Sequence, residues 1–190
     1  MASGSGIDAL DGVRPLLVGL VTEAPRRFSG FCYADIRLQA IEARGAVAEN
    51  GSPKAGFEEV TYALGIRVIA GRQLRAPGYY GAYLGEADLA KLARLVRTGL
   101  RAAWDRALAS ADEKAAVAER FGPLGRSLQD TGLAPVPVVR DTVRPVFRHD
   151  PRSVDPATAV QAVVGASKAA AAASSLVRFN LVAAQTGFER

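Results

Sequence analysis

The stretch EVTYALGIRVI, residues 59–69, decides the fold because apolar side chains occupy every second position along it. A period of two is typical of a β-strand with one buried face. The apolar positions are Val60, Tyr62, Leu64, Ile66 and Val68. Gly71 follows as a turn residue, and the tyrosine-rich residues 73–84 predict a partner strand that bends at Pro77-Gly78.

The residues before this strand continue the same pattern. Residues 33–40 alternate with a period of two, and residues 43–49 resemble them. Asn50-Gly51 is a strong turn dipeptide because both residues tolerate a positive φ. Together with the two strands that follow, these residues predict an antiparallel meander of three or four strands.

After the meander the period becomes helical. Residues 87–109 place apolar side chains at steps of three and four, which predicts one long amphipathic helix. Ser110 and Glu113 match a capping box, so we expect a second helix to begin there and to run to about Phe121. Gly122-Pro123 should end that helix.

The last third of the chain contains many prolines. Residues 122–151 predict an extended connector with a strand-like piece at 136–140. Asp155-Pro156 is a typical helix start, and the alanine-rich helix should reach about Ala173. Residues 176–188 predict a final strand.

These elements indicate an α/β chain of the α+β kind, with a mainly antiparallel β-meander packed against long amphipathic helices. We expect three regions. Residues 1–30 hold an N-terminal extension and a first helix, over residues 7–24, that Pro25 closes. Residues 31–121 hold the meander and the long helix and should form the stable unit. Residues 122–190 hold the connector, the helix and the final strand.

The composition excludes several classes of protein. The net charge is +5, but the basic residues form no cluster of the kind that binds nucleic acid. Tyr79, Tyr80 and Tyr83 near Arg72 and Arg75 leave a base-stacking platform as the weakest alternative, against a plain strand of good β-formers. A single cysteine, no signal-peptide pattern and no long apolar run favour a reducing, cytoplasmic location without membrane contact.

The sequence offers no motif for catalysis. His149 and Cys32 are its one histidine and one cysteine, and they lie in different segments. We expect His149 to be a solvated loop residue and Cys32 to be a small buried residue at a strand start. No nucleophile elbow or phosphate loop occurs. We therefore predict no catalytic, cofactor-binding or metal-binding residue in this chain.

The order of several short motifs resembles the N-terminal domain of the TldD/PmbA family of metallopeptidases, over about residues 31–190. The run Tyr33-Ala-Asp-Ile-Arg-Leu resembles the family's opening strand, and Glu49-Asn50-Gly51 stands where the family has an acidic residue and a turn. Residues 63–71 resemble its next strand and turn. Asp155-Pro156 with its helix, and Val177-Arg-Phe, resemble its next helix and strand.

This resemblance implies a zinc-dependent peptidase that cleaves unfolded or extended peptides as a dimer of related subunits. In the family the zinc is bound in the C-terminal half by an H-E-x-x-x-H-type helix and a later cysteine, and this chain has no such motif. We therefore expect a truncated or separately made N-terminal portion that is inactive alone. Its partners would be a related TldD/PmbA-like subunit and a peptide substrate.

An alternative is a non-catalytic assembly or peptide-binding subunit of a TldD/PmbA-like heterodimer. In either case we expect the final strand to find part of its sheet, or of the layer that covers it, in the missing half. The isolated chain should then self-associate through Val177, Phe179 and Leu181, because an uncovered apolar strand templates aggregation.

Overall fold

The computed structural model describes residues 10, 12–129, 137, 141, 143 and 146–189. Its strands are β1 (Phe31–Glu49), β2 (Ser52–Ala70), β3 (Ala76–Leu84) and β4 (Leu181–Glu189). Its helices are α1 (Arg14–Arg27), α2 (Glu86–Leu89), α3 (Leu92–Arg120), α4 (Gly122–Gln129) and α5 (Pro156–Ala173), with a 3₁₀ turn at Pro151–Ser153. None of these helices is long and apolar enough to cross a membrane.

The strands form one four-stranded sheet in the order β3-β2-β1-β4. β2 pairs antiparallel with β3 from Tyr62–Leu84 to Ala70–Ala76, and β1 pairs antiparallel with β4 from Ile41–Glu189 to Glu49–Leu181. Asn50 and Gly51 have φ angles of 48° and 78°, as the predicted hairpin turn requires. The α+β class, with an antiparallel sheet and helices, is confirmed.

Contacts divide the chain into two compact units. The first unit is Met1–Gln39 with Tyr62–Asp141, and the second is Ala40–Thr61 with Thr142–Arg190. The boundaries of these units differ from those of the three predicted regions, because the tip of the β1–β2 hairpin, residues 40–61, belongs to the same unit as the C-terminal residues.

The first unit buries α3 against β2 and β3. The predicted alternation is confirmed for Tyr62, Leu64, Ile66 and Val68, which are buried, whereas Val60 is 40% exposed. The predicted helical stripe is confirmed from Leu92 to Ala107 and continues beyond it. Its buried members are Leu92, Val96, Gly99, Leu100, Ala103, Ala107, Ala111 and Ala118.

The second unit has a smaller core made of short side chains. Ala46 and Ala48 of β1 and Val163 of α5 are its buried centre, and Val182 of β4 packs against them. In the β1–β4 register, Ala46 lies opposite Ala184 and Ala48 opposite Val182. The even-numbered residues of β4 therefore face α5, because alternate residues of a strand point to opposite sides.

Several predicted helix boundaries are wrong. The helix predicted from residue 87 is divided, because residues 86–89 form the separate short helix α2 and α3 begins at Leu92. α3 runs through Ser110 to Arg120 without a break, because its buried stripe continues across the capping-box sequence.

α1 begins at Arg14 rather than at residue 7. It continues past Pro25 to Arg27, because proline removes only its own backbone bond and the helical pattern resumes where Phe28 N donates to the carbonyl oxygen of Ala24 at 3.1 Å.

Two further predictions need correction. Residues 122–129 form α4 rather than an extended connector, because Gly122, with φ 59°, ends the previous run and Pro123 fits the first turn of a new helix. The final strand begins at Leu181 rather than at 176, since Ser174 holds the backbone of the next residues in a turn. The strand-like piece predicted at 136–140 lies outside the described residues, apart from residue 137.

β4 finds a sheet partner within the chain. It pairs with β1 along its whole length, so one side of its sheet lies within the chain. The expectation that another part of the sheet, or of the layer that covers it, lies in a missing half stays a prediction. The outer edge of β4 pairs with no other strand among the described residues.

Candidate functional site

The residues that the sequence singled out for chemistry do not form a site. His149 is exposed in a bend, as predicted. Cys32 is exposed, contrary to the prediction, because it precedes Ala34, where the buried row of β1 begins. Among the residues that the structure describes, no group of three or more histidine, cysteine, aspartate or glutamate side chains is placed to hold a metal ion.

The tyrosines of β3 do not share one face. Tyr79 and Tyr83 are 57% and 84% exposed. Tyr80 points to the other side of the strand, where its ring lies against Gly99 of α3. A three-ring stacking platform is therefore not formed.

Two of the motifs that resemble the TldD/PmbA family, the run that begins at Tyr33 and residues 63–71, contact each other in the first unit. Arg67 of β2 donates a hydrogen bond from Nε to Asp35 Oδ2 of β1 at 2.7 Å, and its guanidinium lies 5.7 Å from the centre of the Tyr33 ring. Hydrogen bonding and charge attraction from Asp35 raise the pKa of Arg67. Both partners are partly exposed, so the pair fixes strand alignment more than it stabilises the fold.

The second unit contains a pocket of about 440 Å³, called here the α5 pocket. Its wall is mostly apolar, and residues from the first half of α5 and from all three strands of this unit line it. The lining residues are 44–45 of β1, 56–58 of β2, 184–186 of β4, and 154, 156, 158–160 and 162. This size and this composition are those of small-ligand sites.

One corner of the α5 pocket is charged. Arg44 Nη2 lies 2.7 Å from Glu42 Oε1 and 2.7 Å from Glu58 Oε1, and its Nη1 donates to the carbonyl oxygen of Arg152 at 2.9 Å. The Glu42 side chain is 3% exposed and the Glu58 side chain 54%. These three side chains, called the Arg44 cluster, carry one positive and two negative charges.

A second ion pair lies near the cluster. Arg152 Nη2 donates to Asp150 Oδ2 at 2.8 Å, and its guanidinium lies 4.5 Å from the centre of the Phe188 ring. Hydrogen bonds from the Arg152 side chain and backbone lower the pKa of Asp150. The ring of Phe188 in turn lies 5.8 Å from that of Phe147. The carbonyl that Arg44 binds is thus held by a turn with its own contacts.

The floor of the α5 pocket requires a glycine. A Cβ atom at Gly45 would lie 2.5 Å from Cζ of Phe57 and 2.7 Å from the carbonyl oxygen of Ala184. Glycine therefore lets the Phe57 ring lie flat on β1 and form one wall of the pocket. A Cβ at Gly56 would have room, with its nearest contact 3.9 Å away.

A polar contact joins the hairpin tip to α5. Ser167 is fully buried, and its Oγ accepts a hydrogen bond from Gly51 N at 2.7 Å and donates one to Asn180 Oδ1. Asn180 N donates to Asn50 Oδ1 at 2.9 Å. These bonds fix the turn, the helix and the residue just before β4 to one another.

The outer edge of β4, called the β4 edge, pairs with no strand in the part of the chain that the structure describes. Its sequence LVAAQTGFE has no charge before Glu189 and no proline. By contrast, residues 52–60 of β2, which β3 does not reach, carry Pro53, Lys54 and Glu59, the residue types that discourage further pairing. Of these two described edges of the second unit, the β4 edge is therefore the one that lacks the residue types that discourage further pairing.

No protein-family model matches the chain, and no curated protein sequence matches it either. The α5 pocket, the Arg44 cluster and the β4 edge were not identified from the sequence. Gly45 and Gly56 could have indicated the α5 pocket in the sequence, because glycines inside strands often mark a close approach of other groups.

Proposed function

We propose that this chain is the N-terminal portion of a TldD/PmbA-type zinc metallopeptidase that acts on unfolded or extended peptides. Its own part is to bind the peptide, and cleavage belongs to a C-terminal half that holds the zinc. The β4 edge is the observation that carries this proposal. In the cytoplasm the chain would work beside a related TldD/PmbA-like subunit.

The β4 edge suits an extended peptide in length and in chemistry. Its nine residues span about 30 Å at 3.3–3.4 Å per residue. Strand addition uses backbone hydrogen bonds for affinity, so it accepts many sequences, as a peptidase of unfolded chains requires. The Asp35–Arg67 pair also supports the proposal, since it joins the two strands whose motifs resemble the family.

Backbone methylation tests strand addition directly. We expect a labelled nine-residue peptide to bind the purified chain in a fluorescence-anisotropy titration. A version N-methylated at all even positions should still bind, because it keeps one edge of N–H groups that can face β4, whereas a version N-methylated at every position should not. Equal binding of both versions would contradict strand addition.

A lysine placed on the β4 edge provides a second test. Gln185→Lys puts a charge at the middle of the edge and should weaken peptide binding, as lysine does on natural edge strands. Ala169→Lys is the matched control, since residue 169 is exposed on α5 and lies outside both the edge and the α5 pocket.

The alternative, a non-catalytic assembly or peptide-binding subunit of a heterodimer, rests on the same edge. Mixing the chain with the separate C-terminal half of a TldD/PmbA-type peptidase separates the two. Restored, chelator-sensitive cleavage favours the peptidase portion, and binding without cleavage favours the subunit. Chelator-sensitive peptidase activity of the purified chain alone would contradict both.

A further inference from the structure

We propose that the α5 pocket binds one long cationic side chain of the bound peptide, lysine or arginine. The stem of that side chain would lie on the apolar wall, and its charged head would reach Glu58 of the Arg44 cluster. This inference rests on the proposed function, because the side chain belongs to a strand added at the β4 edge.

The sheet register places the pocket beside the added strand. Residues 184–186, at the middle of β4, line the pocket, and Ala184 and Thr186 are on the face of β4 that α5 covers. A strand added to β4 would lie about 4.8 Å away and would direct every second side chain to that same face. In the register that directs the central residue of the peptide to this face, its side chain lies next to the pocket.

The pocket wall suits an apolar stem. Phe57, Val154, Ala159 and Val160 supply apolar surface, and a volume of about 440 Å³ exceeds that of any single side chain. Lysine and arginine bury their methylene stems on apolar surface while their heads stay at polar groups.

The charges of the corner favour a cation over an anion. The two Nη atoms of Arg44 already contact two carboxylates and a backbone carbonyl, and its Nε, which is unpaired among the described residues, is buried, so an incoming carboxylate would find no accessible unpaired donor on this side chain. Glu58 contacts Arg44 through Oε1 and is half exposed, and a carboxylate has lone pairs for further donors. The neighbouring pairs Lys54–Glu49 and Arg152–Asp150 are neutral, which leaves the corner with one net negative charge.

Peptides that differ only at the central residue test the side-chain preference. The probes are blocked, otherwise uncharged nine-residue peptides with lysine, its neutral isostere norleucine, or glutamate at the centre. We expect the lysine peptide to bind most tightly and the glutamate peptide least tightly. Glu58→Gln should reduce the lysine-to-norleucine ratio by about 1.4- to 5-fold, the range for one exposed charge pair.

Two further variants complete the design. Glu59→Gln makes the same charge change at a residue that does not line the pocket, so the ratio should not change. Ala162→Leu fills the pocket from an exposed position on α5, where leucine suits a helix, and should remove the preference while peptide binding remains.

Butylamine and butyrate probe the pocket without any peptide. In ¹⁵N NMR spectra, butylamine at millimolar concentration should shift the amides of Gly45, Gly56 and Thr186, and butyrate should shift them less. Such shifts without peptide binding would contradict the proposed function and leave the cation site standing. Equal affinity for the lysine, norleucine and glutamate peptides, or equal shifts with butylamine and butyrate, would contradict the cation site and leave the proposed function standing.

Discussion

Gly78→Ala should destabilise the first unit more than any other single methyl addition on β3. β3 crosses α3 so closely that a Cβ atom at Gly78 would lie 2.0 Å from the carbonyl oxygen of Ala103 and 2.4 Å from the nitrogen of Ala107. Both are backbone atoms, so no side-chain rotation relieves the clash, and strand and helix must separate by more than about 1 Å. Overpacking of this kind costs about 3 kcal/mol.

Urea unfolding, followed by the fluorescence of Trp104, measures this cost. Trp104 is the single tryptophan, and its ring stacks on Phe28 at 5.2 Å between centroids, so it reports on the first unit. The expected loss corresponds to about 6–12 °C in melting temperature for a chain of this size. Gly81→Ala on the same strand is the control, because its Cβ would meet only the Leu64 oxygen at 3.9 Å. Equal stability of the two variants would refute the close approach of β3 to α3.

Three further predictions concern single side chains. Ser167→Ala leaves the partly buried Gly51 N–H without its acceptor, so the second unit should lose about 1 kcal/mol, seen as faster hydrogen exchange of the Gly51 amide. The lowered pKa of Asp150 means that its contact with Arg152 is present above the ordinary value of 3.8 and is lost as the pH falls through the folded-state pKa. Asp150→Asn should therefore remove the acid-dependent shift of the Arg152 Nε resonance in NMR. Cys32 is exposed, so a thiol reagent should modify it stoichiometrically in the native protein, and slow modification would contradict its placement.

The local features of the fold were predictable because short-range patterns encode them. The alternation in residues 59–69 reflects one buried face of β2, and Asn50-Gly51 is a turn in most contexts. Predictions of helix boundaries were wrong where two local sequence signals indicated different structures. The Ser110 capping box was a valid helix start, but the alanine stripe through Ala107 and Ala111 keeps the same face buried and continues α3.

The candidate site was beyond prediction because long-range pairing builds it. Arg44 and Glu58 come together across the hairpin, whereas β4 joins β1 from the far end of the chain. Periodicity shows that a segment is a strand but does not show which strand it pairs with. The absence of charge in β4 was visible in the sequence, yet it gains meaning only once β4 is an edge strand.

The small core of the second unit and its pocket have one cause. Ala46, Ala48 and Val163 bury little apolar surface compared with the leucines, isoleucine and valines of the first unit, so this unit depends more on polar contacts such as those of Ser167. Larger side chains at Ala159 or Ala184 would bury more surface, but both residues line the α5 pocket and would fill it. A peptide paired with the β4 edge would supply the missing backbone bonds and stabilise the unit by mass action. If the proposed function holds, the alanines would lower the stability of the free chain and keep space for the peptide side chain, and the bound peptide would restore that stability.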